Sequence, residues 1–271
     1  MARLAKLKLS MSISTFLVTF IFALFLAVIM YLLNIPLIFA VVGSLIFIFF
    51  EYLIGPEIVK ASTRLRYLKP GENPWLESTV KELAEKSGIP MPKLAIVPDD
   101  TPNAFVFGRT AKGATLAVHE GLLKQLNKEE IRGVIGHELG HIKHKDFLIM
   151  TALSAIPLIA YMVARLSFEA VRFARPSKKG KGAAAVYAAL AAAAVIGYVV
   201  YIITLLCVMR TSRLREHYAD AYSAYVTGNP RSLESALAKI TYGLSLSPKP
   251  PHGARTLYIE TQPWQNRNVK T

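Results

Sequence analysis

Four apolar stretches constrain this chain more than any other feature: residues 11–33, about 35–54, 147–164 and 183–209. A helix needs about 20 apolar residues to cross the hydrocarbon core of a bilayer. The third stretch is shorter than the others and contains Pro157. Lipid offers no partners to backbone N–H and C=O groups, so each spanning segment reads as a helix. Composition agrees, with 53% hydrophobic and only 18% charged residues, too apolar for an ordinary soluble domain. The first stretch is too long for the apolar part of a cleaved signal peptide, and a second follows at once across Asn34 and Pro36.

Charge then suggests an orientation. Arg3, Lys6 and Lys8 precede the first stretch, Lys60, Arg64, Arg66 and Lys69 follow the second, and the turn between them is uncharged. The positive-inside rule places the N-terminus and the segment after Ile54 in the cytoplasm. Between the third and fourth stretches lie Arg165, Arg172, Arg175, Lys178, Lys179 and Lys181. A full second hairpin would put that basic loop outside, against the same rule, so a complete hairpin and a run that does not cross both stay open. The net charge of +14 fits anionic lipid headgroups. Without an RNP-like motif, zinc-finger spacing or a basic helix with interleaved aromatics, nucleic acid is not expected as a partner. The single cysteine, Cys207, permits no intrachain disulfide.

The remainder reads as water-soluble. Residues 73–86 have amphipathic helical spacing with Pro74 near the start, and Pro90 and Pro92 end it. Residues 94–97, 104–107 and 115–118 have strand character. Asn127 with Glu130 three residues on forms a capping-box signature, and a helix follows to about His144, poised to run into the third apolar stretch. A last helix is expected over 231–244. The expected organisation is an N-terminal transmembrane hairpin (1–56), a first soluble part (57–146), a second hairpin (147–209) and a second soluble part (210–271).

The helix after Asn127 carries His137-Glu138-Leu139-Gly140-His141, an H-E-x-x-H pattern. Residues four apart share a helical face, so both imidazoles can reach one metal ion, and neutral imidazole suits zinc. Glu138 points beside the metal, where a general base must stand. Gly140 costs a helix about 1 kcal/mol against alanine, which suggests close packing. A catalytic zinc needs a third protein ligand and an open position. The extended three-histidine pattern fails, because His144 and Phe147 occupy its last two positions. Asp146 is expected on the same helix with its face turned away, and Glu169 lies beyond an apolar run, roughly 40 Å off if helical. An up-and-down pair of apolar helices returns the chain to its starting side, which selects Glu216. Asp220, on the same face one turn later, is then suited to hold a ligating histidine from behind.

Three pieces of sequence carry a resemblance: Pro102-Asn103-Ala104-Phe105, the His137–His141 motif, and Ser212-Arg213 through Glu216 to Ala219-Asp220. With apolar helix pairs before and between them, they resemble the HtpX-type membrane metalloproteases, with the CAAX prenyl proteases as more distant relatives. The resemblance implies a mainly α membrane protein with four hydrophobic helices and an α+β zincin-like catalytic domain carrying a small β-sheet. It implies one Zn2+ on His137, His141 and Glu216, with Glu138 as base. It also implies a multi-pass cell-membrane protease, its catalytic domain facing the cytoplasm, that cleaves damaged or unfolded polypeptides and membrane proteins in a stress response. Asn103 would mark the edge strand that pairs with an extended substrate and would contact that substrate. The tail departs from the family: 250–255, with His252, is a poor match to its usual C-terminal piece. The alternatives are a prenyl-protein endopeptidase and a non-catalytic membrane scaffold holding zinc.

Overall fold

The computed structural model describes residues 2–173 and 181–245. His252, the 250–255 stretch and the basic residues Arg175, Lys178 and Lys179 lie outside the described residues. In chain order the elements are helices α1 (Ala2–Leu32) and α2 (Leu37–Thr63), strand β1 (Arg66–Tyr67), helix α3 (Pro74–Ser87), strands β2 (Lys93–Val97), β3 (Ala104–Phe107) and β4 (Thr115–His119), then helices α4 (Glu120–Gln125), α5 (Lys128–Lys143), α6 (Asp146–Phe173), α7 (Lys181–Thr227) and α8 (Pro230–Ser245). The described residues form two compact units, one drawn from 2–54, 148–173 and 181–215, the other from 55–147 and 216–245.

In the first unit, α1 contributes Val18, Phe22, Phe25, Leu26 and Ile29 to a core shared with Leu153, Ile156 and Ala160 of α6 and Ala193 and Val208 of α7. Ser14 and Thr211 share a buried hydrogen bond of 2.6 Å. Gly197 lets α7 approach α6 closely, since a Cβ there would stand 3.1 Å from the Ala164 backbone. The α1–α2 turn runs through Asn34 in the left-handed region (φ 52°), with Pro36 closing it. No α2 residue is buried, and Phe39, Leu45, Phe49 and Phe50 are all more than half exposed. Such an apolar surface is stable against lipid rather than water. Among the described residues, four helices have the length and hydropathy to cross a membrane. The third apolar stretch is part of the 28-residue α6, so it is not short as a helix. Pro56 and Pro157 stand inside α2 and α6, and each removes one backbone donor from its helix.

In the second unit, the sheet has the order β1-β2-β4-β3, with β2 and β4 parallel and the two outer pairs antiparallel. Among the described residues β3 is therefore an edge strand. The Asn103 carbonyl accepts the His119 amide at 2.9 Å. Alternation along an antiparallel ladder then turns Phe105 toward β4 and turns the backbone of Ala104 and Val106 toward the open edge. Helix α3 starts at an Asn73 cap with Pro74 in the first turn, ends at Gly88 (φ 61°), and buries Leu76, Val80, Leu83 and Ala84. Its Glu82 takes two bonds from the Arg132 guanidinium of α5. Helix α5 begins with the full capping box, Glu130 N–H to Asn127 Oδ1 at 2.9 Å and Asn127 N–H to Glu130 Oε2 at 2.8 Å.

Glu130 is buried and also accepts from Ser235 and Lys239 of α8, at 2.6 and 2.9 Å. Burial raises the Glu130 pKa, but the Lys239 and Ser235 bonds outweigh it and hold it below the ordinary 4.5. A depressed carboxylate stabilises the fold above its unfolded pKa, and this is lost as pH falls through the folded value. Glu130→Ala should therefore cost about 1–2 kcal/mol near neutrality, the size of a lost helix cap. Denaturant unfolding in detergent should show that difference shrinking below pH 4.5.

The structure corrects two expectations. The motif helix does not continue into the third apolar stretch. It ends at Lys143, the His144 and Lys145 amides bond back to Gly140 and Ile142, and Lys145 takes a left-handed conformation (φ 55°) before α6 starts at Asp146. That conformation costs a residue with a side chain about 1 kcal/mol. Asp146 is consequently not on the motif helix, nor turned away from it. Also unread were the two-residue strand β1, the six-residue α4 and a single 3-10 turn at Ala111–Gly113.

Candidate metal centre

The centre is assembled from α5 and the part of α7 after residue 215. His137 and His141 lie one turn apart on α5, their Nε2 atoms 3.2 Å from each other. Glu216 of α7 places Oε2 at 3.4 Å from His137 Nε2 and 3.7 Å from His141 Nε2. Among the described residues, this is the group of three His, Cys, Asp or Glu side chains whose donor atoms all lie within 4.8 Å of one another. Bonds of about 2.0–2.1 Å in a tetrahedral zinc site separate ligand atoms by about 3.3 Å. The three spacings bracket that value, so these donors fit a tetrahedral divalent ion.

Close approach of the two helices depends on glycines in α5. A Cβ on Gly140 would stand 3.2 Å from Ala219 Cα and 3.3 Å from Tyr222 Cδ1, and one on Gly136 would meet Thr227 and Ser223 at 3.0 and 3.1 Å. The buried Ser223 hydroxyl donates to the Gly133 carbonyl at 2.6 Å, fastening the same face.

Carboxylates stand behind both imidazoles. Asp146 Oδ2 lies 2.8 Å from His141 Nδ1. Asp220 Oδ1 lies 3.0 Å from His137 Nδ1, yet the ring N–H is not aligned on it and Nδ1 is left without a formed hydrogen bond. At that separation, with its side chain 42% exposed, Asp220 stands within hydrogen-bond reach of the ring. Burial opposes protonation of His137, but Asp220 and Glu216 outweigh it and hold its pKa well above the ordinary 6.5. Burial likewise opposes protonation of His141, and Asp146 followed by Glu216 overcomes it. So negative a pocket attracts a cation, and a metal ion entering it displaces protons.

Glu138 is buried next to this cluster and is not part of it. Burial pushes its carboxyl up, against the pull of His141 and His137. It accepts the backbone N–H of Val106, so the open edge of β3 holds it in place. Asn103 is buried at the head of that strand, outside the metal cluster. His144 caps the end of α5 with its ring against Tyr218 at 3.8 Å, and His119 is buried on β4 with Nδ1 3.1 Å from the Thr101 carbonyl. Asp146 is the residue that sequence reasoning missed. Its signal was an acidic residue directly before an apolar run, a common helix start.

The chain is similar to known proteins in sequence and in fold. The sequence profile described as peptidase family M48 matches residues 70–267. Curated proteins named "Protease HtpX homolog" are similar over most of the chain. That of Methanothermobacter thermautotrophicus is 39% identical over 246 residues, covering 89% of this chain and 88% of its own. That of Thermococcus sibiricus is 39% identical over 213 residues, 78% of this chain and 71% of its own. That of Methanocaldococcus jannaschii is 38% identical over 215 residues, 79% and 73%. The crystal structure of S. mikatae Ste24p shares the fold, with a TM-score of 0.51 at 20% identity over 90% of this chain, which spans 60% of that structure's length. Two histidines and a glutamate gathered for a metal, four apolar helices and relatives of nearly matching length lead to one conclusion: the chain belongs to peptidase family M48, as a multi-pass membrane metalloprotease of the HtpX kind.

Proposed function

We propose that the chain is a zinc endopeptidase that hydrolyses unfolded or damaged polypeptides, membrane proteins among them, on the cytoplasmic side of a cell membrane. His137, His141 and Glu216 hold the ion, and Glu138 is the general base. The observation that carries this reading is the convergence of the three donor atoms within 4.8 Å, with a buried, non-ligating Glu138 beside them. A bound Zn2+ supplies Lewis acidity, polarising the scissile carbonyl and making water acidic near neutral pH. Glu138 takes the proton as the C–O bond forms, its carboxylate aimed by the Val106 N–H. It then delivers the proton to the amide nitrogen as the C–N bond breaks, so proton and leaving group balance. The open edge of β3 suits an extended substrate, which would add to the sheet as a further strand. Asn103, at the head of that strand, is suited to donate its side-chain amide to the substrate or its developing oxyanion. Asp220 steadies His137 from behind.

Three protein donors favour catalysis over a structural role, for which four are usual. The cytoplasmic orientation rests on the basic residues flanking the first two helices. A prenyl-protein endopeptidase shares the expected chemistry, and offering a lipidated peptide beside an unfolded membrane protein separates the two. The direct test is metal content and proteolysis together. The purified protein should carry one zinc, lose cleavage to a chelator and regain it with added Zn2+. His137→Ala should bind no zinc at the same concentration and cleave nothing above background. A chain that cleaves normally after complete metal removal would sink the reading.

A further inference from the structure

The apolar helix α6 opens on Asp146, and its carboxylate contacts His141, the second imidazole of the motif. Asp146 Oδ2 lies 2.8 Å from His141 Nδ1, and the two side chains are 7% and 15% exposed. On the opposite side of the same ring, Nε2 faces His137 and Glu216 at 3.2 and 3.7 Å. The contact is produced by the break that separates α5 from α6. With Lys145 left-handed and its amide returned to Ile142, the chain folds back under the ring that α5 has just presented.

We propose that Asp146 is a positioning residue that fixes the tautomer and orientation of His141. An N–H held by a carboxylate at Nδ1 leaves the lone pair on Nε2, the nitrogen that faces the other two donors. A neutral imidazole otherwise divides between two tautomers and rotates about its side-chain bonds, and only one arrangement presents a free lone pair to the centre. The negative charge also makes the ring a stronger donor. The inference rests on His141 being a ligand, as proposed above. It adds that the centre is closed by five groups from three helices: α5 supplies the two rings, α7 supplies Glu216 and Asp220, and α6 supplies the carboxylate behind His141.

Zinc affinity, measured by chelator competition on purified full-length protein in detergent, tests this. Asp146→Ala removes both charge and acceptor and should weaken zinc binding about 10- to 100-fold. Asp146→Asn is isosteric, keeps an oxygen to accept the Nδ1 proton and loses only the charge, so its loss should be smaller than that of the alanine variant. The Co2+-loaded variants should show a changed ligand-field spectrum, which a purely structural residue would leave alone. Helix content of the metal-free variants should match the parent, while loss of the buried Asp146–His141 contact should lower the unfolding midpoint of the alanine variant. If the alanine variant does not fold, the asparagine variant carries the test, with a several-fold loss expected on the same grounds. Binding within about twofold of the parent in every folded variant overturns the role given to Asp146. A parent that binds no zinc, or whose zinc survives His141→Ala, overturns the ligand reading itself.

Discussion

Glu138→Gln should leave the protein folded and loaded with metal while lowering peptide-bond cleavage about 10²- to 10⁴-fold, the usual contribution of a positioned acid–base group. The substitution is isosteric. A glutamine oxygen still accepts the Val106 N–H that holds Glu138 in place, so the link between α5 and β3 survives. Glu138 is 4% exposed, and replacing a buried charge by a neutral amide removes a desolvation cost. Glu138 is also outside the group of converging donors, so metal affinity should not fall. What disappears is the basic oxygen. Burial pushes the Glu138 carboxyl up, which improves it as a proton acceptor and brings its proton affinity closer to the working pH. Metal stoichiometry and cleavage of an unfolded polypeptide, measured on one preparation, check both halves. A variant that keeps its zinc and cleaves within about tenfold of the parent would remove Glu138 from the mechanism.

The parts of this structure that were legible from sequence are those set by local periodicity. Long apolar runs marked α1, α2 and α7, and alternation between turn residues located three of the four strands to within about a residue. The Asn127–Glu130 signature placed the start of α5 because a capping box is built from neighbours in the chain. What escaped is set by partners far away. Strand β1 is two residues long and exists only because Arg66 and Tyr67 pair with Ile96 and Ala95. The break after α5 turns on Lys145 in a left-handed conformation, and nothing in a lysine announces one. Missing that break hid Asp146, since an acid five residues past His141 points away on a continuous helix and lies behind the ring on a broken one. Glu216 could be picked out because an up-and-down helix pair is a coarse constraint that tolerates errors of several residues in its ends. Whether a particular oxygen comes within 3.4 Å of a particular nitrogen depends instead on how closely two helices approach.

That approach leads to the second large effect, Gly140→Val. An alanine Cβ at residue 140 would stand 3.2 Å from Ala219 Cα and 3.3 and 3.4 Å from Tyr222 Cδ1 and Cβ. Those contacts are tight, but a shift of a few tenths of an ångström relieves them, and alanine returns about 1 kcal/mol of helix propensity. Gly140→Ala should therefore be close to neutral in stability and activity. Valine adds two γ-carbons on a side chain that a helix confines almost to one rotamer. They add volume where the Cβ already meets the Ala219 backbone and the Tyr222 side chain of α7. Interiors are packed too densely to absorb that volume locally, so α7 must move back by about 1 Å, and Glu216 and Asp220 move with it. A displacement of that size at a catalytic centre costs about 100-fold in rate. Since Glu216 is also a proposed ligand, zinc affinity should fall together with kcat, while Glu138→Gln lowers rate alone. Chelator competition and cleavage rates across glycine, alanine and valine at this position should thus show almost no change and then an abrupt loss. A gradual decline from glycine through alanine to valine would point to general destabilisation by side-chain volume, since helix propensity favours both replacements over glycine. Parent-like metal binding in the valine variant would mean that the spacing of α5 and α7 does not govern the centre.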